Sequence, residues 1–189
     1  MARYIAAYAG IGSRDITMGE MITIGNVSRL LAKMNMLLYS GNAPGADQCF
    51  QKSSSGKCIV FLPWDGFEVQ SFNYKTEADK YLIKGDSPEG ISSIIKYHDN
   101  PAALSRGGKS LMARNYHQIH GDPPALPMVK FVVCCATPKM HEKWGEVVDG
   151  GTCQAVKIAI DNKIPVVNIR KDGWNKELKR ICAEILKNH

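Results

Sequence analysis

The chain has 189 residues, of which 44% are hydrophobic and 22% charged, and it carries a net charge of +6 at neutral pH. This balance excludes collagen-like, coiled-coil, mucin-like and largely disordered chains, and the length suits one domain spanning residues 1–189. No apolar run reaches the ~18 residues of a membrane span, and the first residues lack a charged leader followed by an apolar stretch, so neither a membrane partner nor a signal peptide is expected.

Residues 4–10 form a short apolar run ending in glycine, the pattern of a buried strand entering a turn. Thr17 followed by Glu20 predicts a capped helix whose apolar positions are Met21, Ile24, Val27, Leu30, Leu31 and Met34. Met36–Ser40 reads as a second strand, 44 to about 55 as a short helix, and 57–62 as a third strand. Residues 63–105 are polar, hold Pro88 and Pro101, and show only short periodic pieces. They are expected to form an irregular excursion with small helices that covers a site. Residues 107–119 read as a helix and 128–135 as a fourth strand. A helix opens at Gly150 and Gly151 and runs to about Asn162, 165–169 is a fifth strand, and Trp174–Lys187 closes the chain as a helix. Apolar strands alternating with helices predict a doubly wound α/β fold: a mainly parallel sheet with helices on both faces. Ligands in such folds bind at the carboxyl ends of the strands.

The six cysteines are Cys49, Cys58, Cys134, Cys135, Cys153 and Cys182. None has C-x-x-C spacing, so they read as free thiols of a reducing compartment. His117 and His120 share a helix face but lack a third ligand, so no metal is expected. The positive excess is uneven. Residues 96–189 hold 15 Lys and Arg against 9 Asp and Glu, whereas residues 1–95 hold 9 of each. That asymmetry suits an anionic partner, nucleic acid included, or solvated lysines on helix faces.

Four segments could carry chemistry. Gly10, Gly12, Ser13 and Arg14 follow strand one, where glycine lets the backbone approach a ligand and the two polar residues donate to phosphate or carboxylate. Ser40, Gly41, Asn42, Gly45 and Asp47 follow strand two and lead into a helix N-terminus, which binds anions. Asp47 could contact ligand, serve as a catalytic carboxylate, or stabilise its own helix. Gly150, Gly151 and Thr152 could cradle a phosphate with backbone N–H groups, or simply cap a helix. Arg114 and Asn115 lie on a helix that also carries Arg106 and Lys109, and no acid occurs between Asn100 and Gly121. Arg114 is therefore expected to reach a bound anion.

Together, the stretches Tyr8-Ala-Gly-Ile-Gly-Ser-Arg14, Ser40-Gly-Asn-Ala-Pro-Gly-Ala-Asp47, Gly150-Gly-Thr152 and Met112-Ala-Arg-Asn115 resemble the SLOG superfamily. This is a group of Rossmann-like nucleotide-binding domains of bacteria and phages. It includes DNA-processing protein A (Smf), the LOG phosphoribohydrolases and molybdenum cofactor carrier proteins. The resemblance implies a Rossmann-like fold, a cytoplasmic location (the host's if phage-encoded), a dimer or larger homo-oligomer, and no cofactor. It implies a protein that binds a small nucleotide through Gly-rich loops, as a sensor, carrier or sequestering module. Two alternatives accompany it: cleavage of an N-glycosidic bond in a nucleoside 5′-monophosphate, and binding of single-stranded DNA. The LOG motif P-G-G-x-G-T-x-x-E places its catalytic Glu three residues past the Thr, which here is Ala155. Asp47 or Glu146 would have to substitute, with Glu142 and Asp149 as further carboxylates nearby.

Overall fold

The structure, a computed structural model, describes residues 4–68 and 80–189. Along the chain come β1 (Ala6–Gly12), α1 (Met18–Lys33), β2 (Met36–Ser40), α2 (Ala46–Ser53), β3 (Cys58–Leu62), β4 (Tyr81–Ile83), α3 (Pro88–Tyr97), α4 (Arg106–His120), β5 (Phe131–Cys135), β6 (Pro138–His141), β7 (Gly145–Val148), α5 (Cys153–Asp161), β8 (Val166–Asn168) and α6 (Trp174–Lys187). Six of the strands form one parallel sheet in the order β4-β3-β2-β1-β5-β8. This is the predicted Rossmann-like, doubly wound architecture.

Strand alternation divides the core in two. Tyr8, Leu38, Val60, Phe131 and Val133 point to one face, where they meet Ile24, Val27 and Leu31 of α1, Phe50 of α2, and Leu178 and Ile181 of α6. Ala9, Ile11, Tyr39, Phe61, Val132 and Cys134 point to the other, against Tyr97 of α3, Ile119 of α4, and Ala155, Val156 and Ile158 of α5. Both faces are covered, which is why the strands read as continuous apolar runs. Gly10 is a packing residue of this core. A methyl there would lie 2.6 Å from Leu38 Cδ1 and 2.7 Å from Phe50 Cγ.

The sheet grows outward from β1 in both directions, so its topological switch point lies between β1 and β5. There the two strands run close together: Ser13 N donates to Cys135 O at 2.8 Å, and a methyl on Gly12 would sit 2.5 Å from that same oxygen. The carboxyl edge at this point is where a ligand crevice forms.

The stretch expected to be an irregular excursion is more ordered than its composition suggests. Residues 80–105 supply sheet strand β4 and the ten-residue helix α3, which buries Ser93, Ile94 and Tyr97. Ser87 caps α3 by accepting from Gly90 N, and Pro88 occupies the first turn. Residues 69–79 lie outside the described residues. The antiparallel hairpin of β6 and β7 was also not anticipated. The helix expected from residue 44 begins at Ala46, because Gly45 adopts a φ of 88° that no helix accepts. The helix expected from Gly150 begins at Cys153, after a turn in which Gly150 has a φ of 76°.

The capping box of α1 forms as the sequence predicts: Thr17 Oγ1 accepts from Glu20 N at 3.2 Å, and Glu20 Oε2 accepts from Thr17 N at 2.7 Å. The same carboxylate takes Nε of Arg170 at 2.6 Å, tying the end of β8 to the start of α1. This pairing with Arg170 lowers the Glu20 pKa from its ordinary 4.5 to about 2. Its folded value lies below its unfolded one, so the carboxylate stabilises the fold fully above about pH 5, and the contribution drains away as pH falls toward 2. In urea titrations, Glu20→Gln should be less stable than the native chain at pH 6, and the gap should close between pH 4.5 and 2. A gap independent of pH would remove the ion pair as its cause.

Candidate functional site

Loops from the ends of β1 and β2, the buried face of α4 and the turn before α5 converge on one cleft of about 300 Å3. Its lining includes Gly12, Ser13, Arg14, Asp47, Arg114, Asn115, Gly150, Gly151 and Thr152 from the sequence-derived set. These residues come from four separate stretches of chain, and the fold brings them together.

At the floor lies a buried ion pair. Arg114 Nη1 is 3.5 Å from Asp47 Oδ2, and both side chains are almost fully enclosed. Asp47 Oδ1 accepts from Gly12 N at 3.1 Å. Burial pushes the Asp47 carboxyl up, against the pull of the Arg114 guanidinium and of the backbone N–H groups of Gly12, Ala43 and Gly41. Burial also lowers the Arg114 pKa; Asp47 opposes that shift and the positive charge of Arg14 adds to it. A guanidinium does not deprotonate in a protein, so Arg114 stays cationic. Gln118 ties the pair to its surroundings once its amide is turned so that the oxygen faces the donors: the oxygen then accepts from Arg114 Nη1 at 3.2 Å and Gly41 N at 3.0 Å, while its nitrogen donates to Asn115 Oδ1 at 2.9 Å. Arg114 Nε remains buried without a partner among the described residues.

The remaining predicted residues divide into support and rim. Ser40 is buried, and its hydroxyl donates to Gly10 O at 2.8 Å, so it braces the strands and does not face the cleft. Asn42 is likewise buried; its Nδ2 donates to Phe67 O at 2.9 Å, anchoring the segment after β3. Gly41 is required by Arg114, since a methyl there would lie 1.2 Å from Nη1. Gly45 packs its α-carbon against the Arg14 carbonyl, where a methyl would come within 2.4 Å of the oxygen. Asn115 Nδ2 donates to Gly151 O at 2.9 Å and pins the glycine turn onto α4. Thr152 makes no side-chain cap, so the N–H groups that open α5 are not taken by its hydroxyl. Arg14 is exposed at the rim and has no ion-pair partner among the described residues.

Three of the predicted residues sit differently from the rest. Glu146 is absent from the lining: it sits on the β6–β7 hairpin and pairs with Lys171 at 2.8 Å. Arg114 lines the cleft, with its Nη1 facing Asp47 and Gln118. Gly10 lies in the core and is not among the residues lining the cleft. Ala155, at the position compared with the LOG glutamate, faces the sheet from α5. The imidazole of His117 is bonded to Ser87 Oγ and Gly121 O, and that of His120 stacks on Tyr116. No group of three or more His, Cys, Asp or Glu that could hold a metal occurs among the described residues. The predicted binding set left out Leu111 and Gln118 of the lining, while Met112 and Asp149 entered the sequence reading only within the resembling stretches and as a further carboxylate. Gln118 had a usable signal, lying four residues past Arg114 on the same helix face.

Removing Arg114 strands a buried carboxylate. Arg114→Met should lower unfolding free energy by about 3–5 kcal/mol, and adding Asp47→Asn should recover part of that loss. Chemical denaturation of the single and double variants measures this. Additive losses would mean that the two groups do not interact.

No protein-family model matches the chain, and no curated protein does. Among solved structures, the chain is similar to DNA processing protein A from Helicobacter pylori, described for its single-stranded DNA binding mode. The TM-score is 0.61 at 18% identity, covering 98% of this chain and 82% of that one. That likeness shows a shared α/β fold.

Proposed function

We propose that the cleft binds a nucleotide through its phosphate, and that the protein acts as a binder of that ligand. The observation carrying this reading is a cation without an ion-pair partner among the described residues, set against a helix start with no side-chain cap: Arg14 lines the same cleft as Gly150, Gly151 and Thr152. Exposed N–H groups at a helix N-terminus and a forked guanidinium are both phosphate ligands. The charge balance supports it too. Asp47 offsets Arg114, which leaves Arg14 as unbalanced positive charge close enough to disfavour the charged form of Arg114. An anion in the cleft relieves that repulsion. At about 300 Å3 the cleft is at the small end of ligand sites, a size for one nucleotide unit.

Bond cleavage is less well supported. The cleft's carboxylates are Asp47, committed to Arg114 and the backbone, and Asp149, exposed and 3.9 Å from Lys139. Single-stranded DNA is the second reading. It is favoured by the likeness to the H. pylori protein and by the basic second half of the chain.

Calorimetric titration with a panel of nucleoside 5′-monophosphates and the matching nucleosides tests the main reading. The nucleotide should bind at least roughly tenfold tighter. Arg14→Ala should weaken nucleotide binding about ten- to a hundredfold, the worth of one charge-assisted hydrogen bond, and leave nucleoside binding unchanged. Equal affinities for nucleotide and nucleoside would contradict it.

A further inference from the structure

A second cleft, of about 640 Å3, opens where the end of β4, the start of α3 and the end of α4 meet. It shares no lining residue with the cleft described above. Ser87 and His117 both line it.

Local packing brings these two side chains together. After β4, Gly85 runs against the end of β3, where a methyl would lie 1.8 Å from Pro63 O, and Ser87 then caps α3. Gly90 lets α3 lie close on α4: a methyl there would be 2.5 Å from Ala113 O. That close approach carries the Ser87 hydroxyl to the His117 imidazole, with 2.7 Å between Oγ and Nε2.

The hydrogen-bond partners fix the proton positions. His117 Nδ1 lies 2.8 Å from Gly121 O. A carbonyl only accepts, so Nδ1 carries the ring proton and Nε2 is the acceptor. Gly90 N donates to Ser87 Oγ at 3.1 Å, and the hydroxyl in turn donates to Nε2. Burial lowers the His117 pKa, which leaves the ring a neutral base at pH 7. Phe61 and Tyr116 hold the ring, with centroids 5.9 and 5.3 Å away. A hydroxyl, a base within hydrogen-bond reach and a third group orienting that base are the parts of an activated nucleophile. A strand-to-helix turn at the carboxyl edge of a parallel sheet is also where such a serine meets substrate.

The walls set the substrate class. Tyr116 and His120 stack 4.1 Å apart, and Ile83, Pro88 and Pro123 add apolar surface. Asp86, Glu89 and Asp122 outnumber the single lysine of the lining, Lys84, which Asp122 holds at 2.7 Å. This negative excess disfavours an anion and suits an uncharged substrate. Pro88 has no N–H, so the first amide of α3 is Glu89 N, a donor that the helix itself does not use and that an oxyanion could take.

We propose that Ser87 and His117 are a nucleophile and its base, and that this cleft hydrolyses uncharged carboxylic esters through an acyl-serine. Ser87 Oγ adds to the ester carbonyl carbon while its proton passes to His117 Nε2. His117 returns that proton to the leaving oxygen, which departs as the alcohol. Water, deprotonated by His117, then attacks the acyl carbon and releases the carboxylic acid, and the proton goes back to Ser87. The activity is independent of the nucleotide reading of the first cleft.

Turnover of p-nitrophenyl acetate, and labelling with a fluorophosphonate followed by peptide mapping, test it. The native chain should hydrolyse the ester and carry the label on Ser87. Ser87→Asn retains a side-chain oxygen to cap α3 but no nucleophile, so it should fold and lose both reactions. His117→Gln should slow both by roughly 100- to 10,000-fold, the worth of a positioned general base. A label on any other residue, hydrolysis no faster than in buffer, or rates that either variant leaves within about threefold of native would overturn the proposal. The label position is read on the native chain, so it decides the question even where a variant does not fold.

Discussion

The buried pair of Arg114 and Asp47 is the constraint on which the site depends. Two charges taken out of water are stable only if geometry and hydrogen bonds compensate the lost hydration. Here the compensation comes from backbone. Gly12 N reaches the carboxylate directly, and Gln118 joins the guanidinium to Gly41 N. For main chain to come that close, side chains must be absent. A methyl on Gly41 would overlap the guanidinium, and one on Gly12 would overlap the β5 carbonyl. The glycines at the ends of β1 and β2 are thus explained first by the packing of loops around an ion pair. Contact with a ligand comes second.

From that anchor the rest of the cleft follows. Arg114 fixes α4 against the β2–α2 loop, and the adjacent Asn115 holds the Gly150–Gly151 turn. One helix therefore sets the spacing between an exposed arginine on one wall and an uncapped helix start on the other. Because Asp47 balances Arg114, the positive potential available to a ligand comes from Arg14 and the N–H groups opening α5. An internally neutral floor beneath a cationic rim is what the proposed anion would need.

Much of this was legible in the sequence. The sheet strands read clearly because burial on both faces makes them continuously apolar, and the capping box at Thr17 and Glu20 forms as written. What failed did so for physical reasons. Gly10 beside Phe50 and Gly12 beside Cys135 look alike in sequence, yet one fills the core and the other borders the cleft. Arg114 stood in a window without acids, which suggested a free cation. Its partner, Asp47, lies 67 residues earlier and meets it only through the parallel-sheet crossover. Helix α3 falls within the stretch expected to hold small helices, and Ser87 and Pro88 give it a start signal of the usual kind. The hairpin of β6 and β7 is mostly exposed and polar, so it lacks the apolar run that marked the other strands.

The central claim, that phosphate is held between Arg14 and the start of α5, can be read at the atoms concerned. Backbone amide chemical shifts followed by NMR during titration with a nucleoside 5′-monophosphate report directly on which N–H groups gain an anionic acceptor. The largest downfield shifts should fall on Gly151 and Thr152, with Arg14 responding at the opposite wall. Shifts confined to other parts of the chain, with these amides unmoved at saturation, would contradict it.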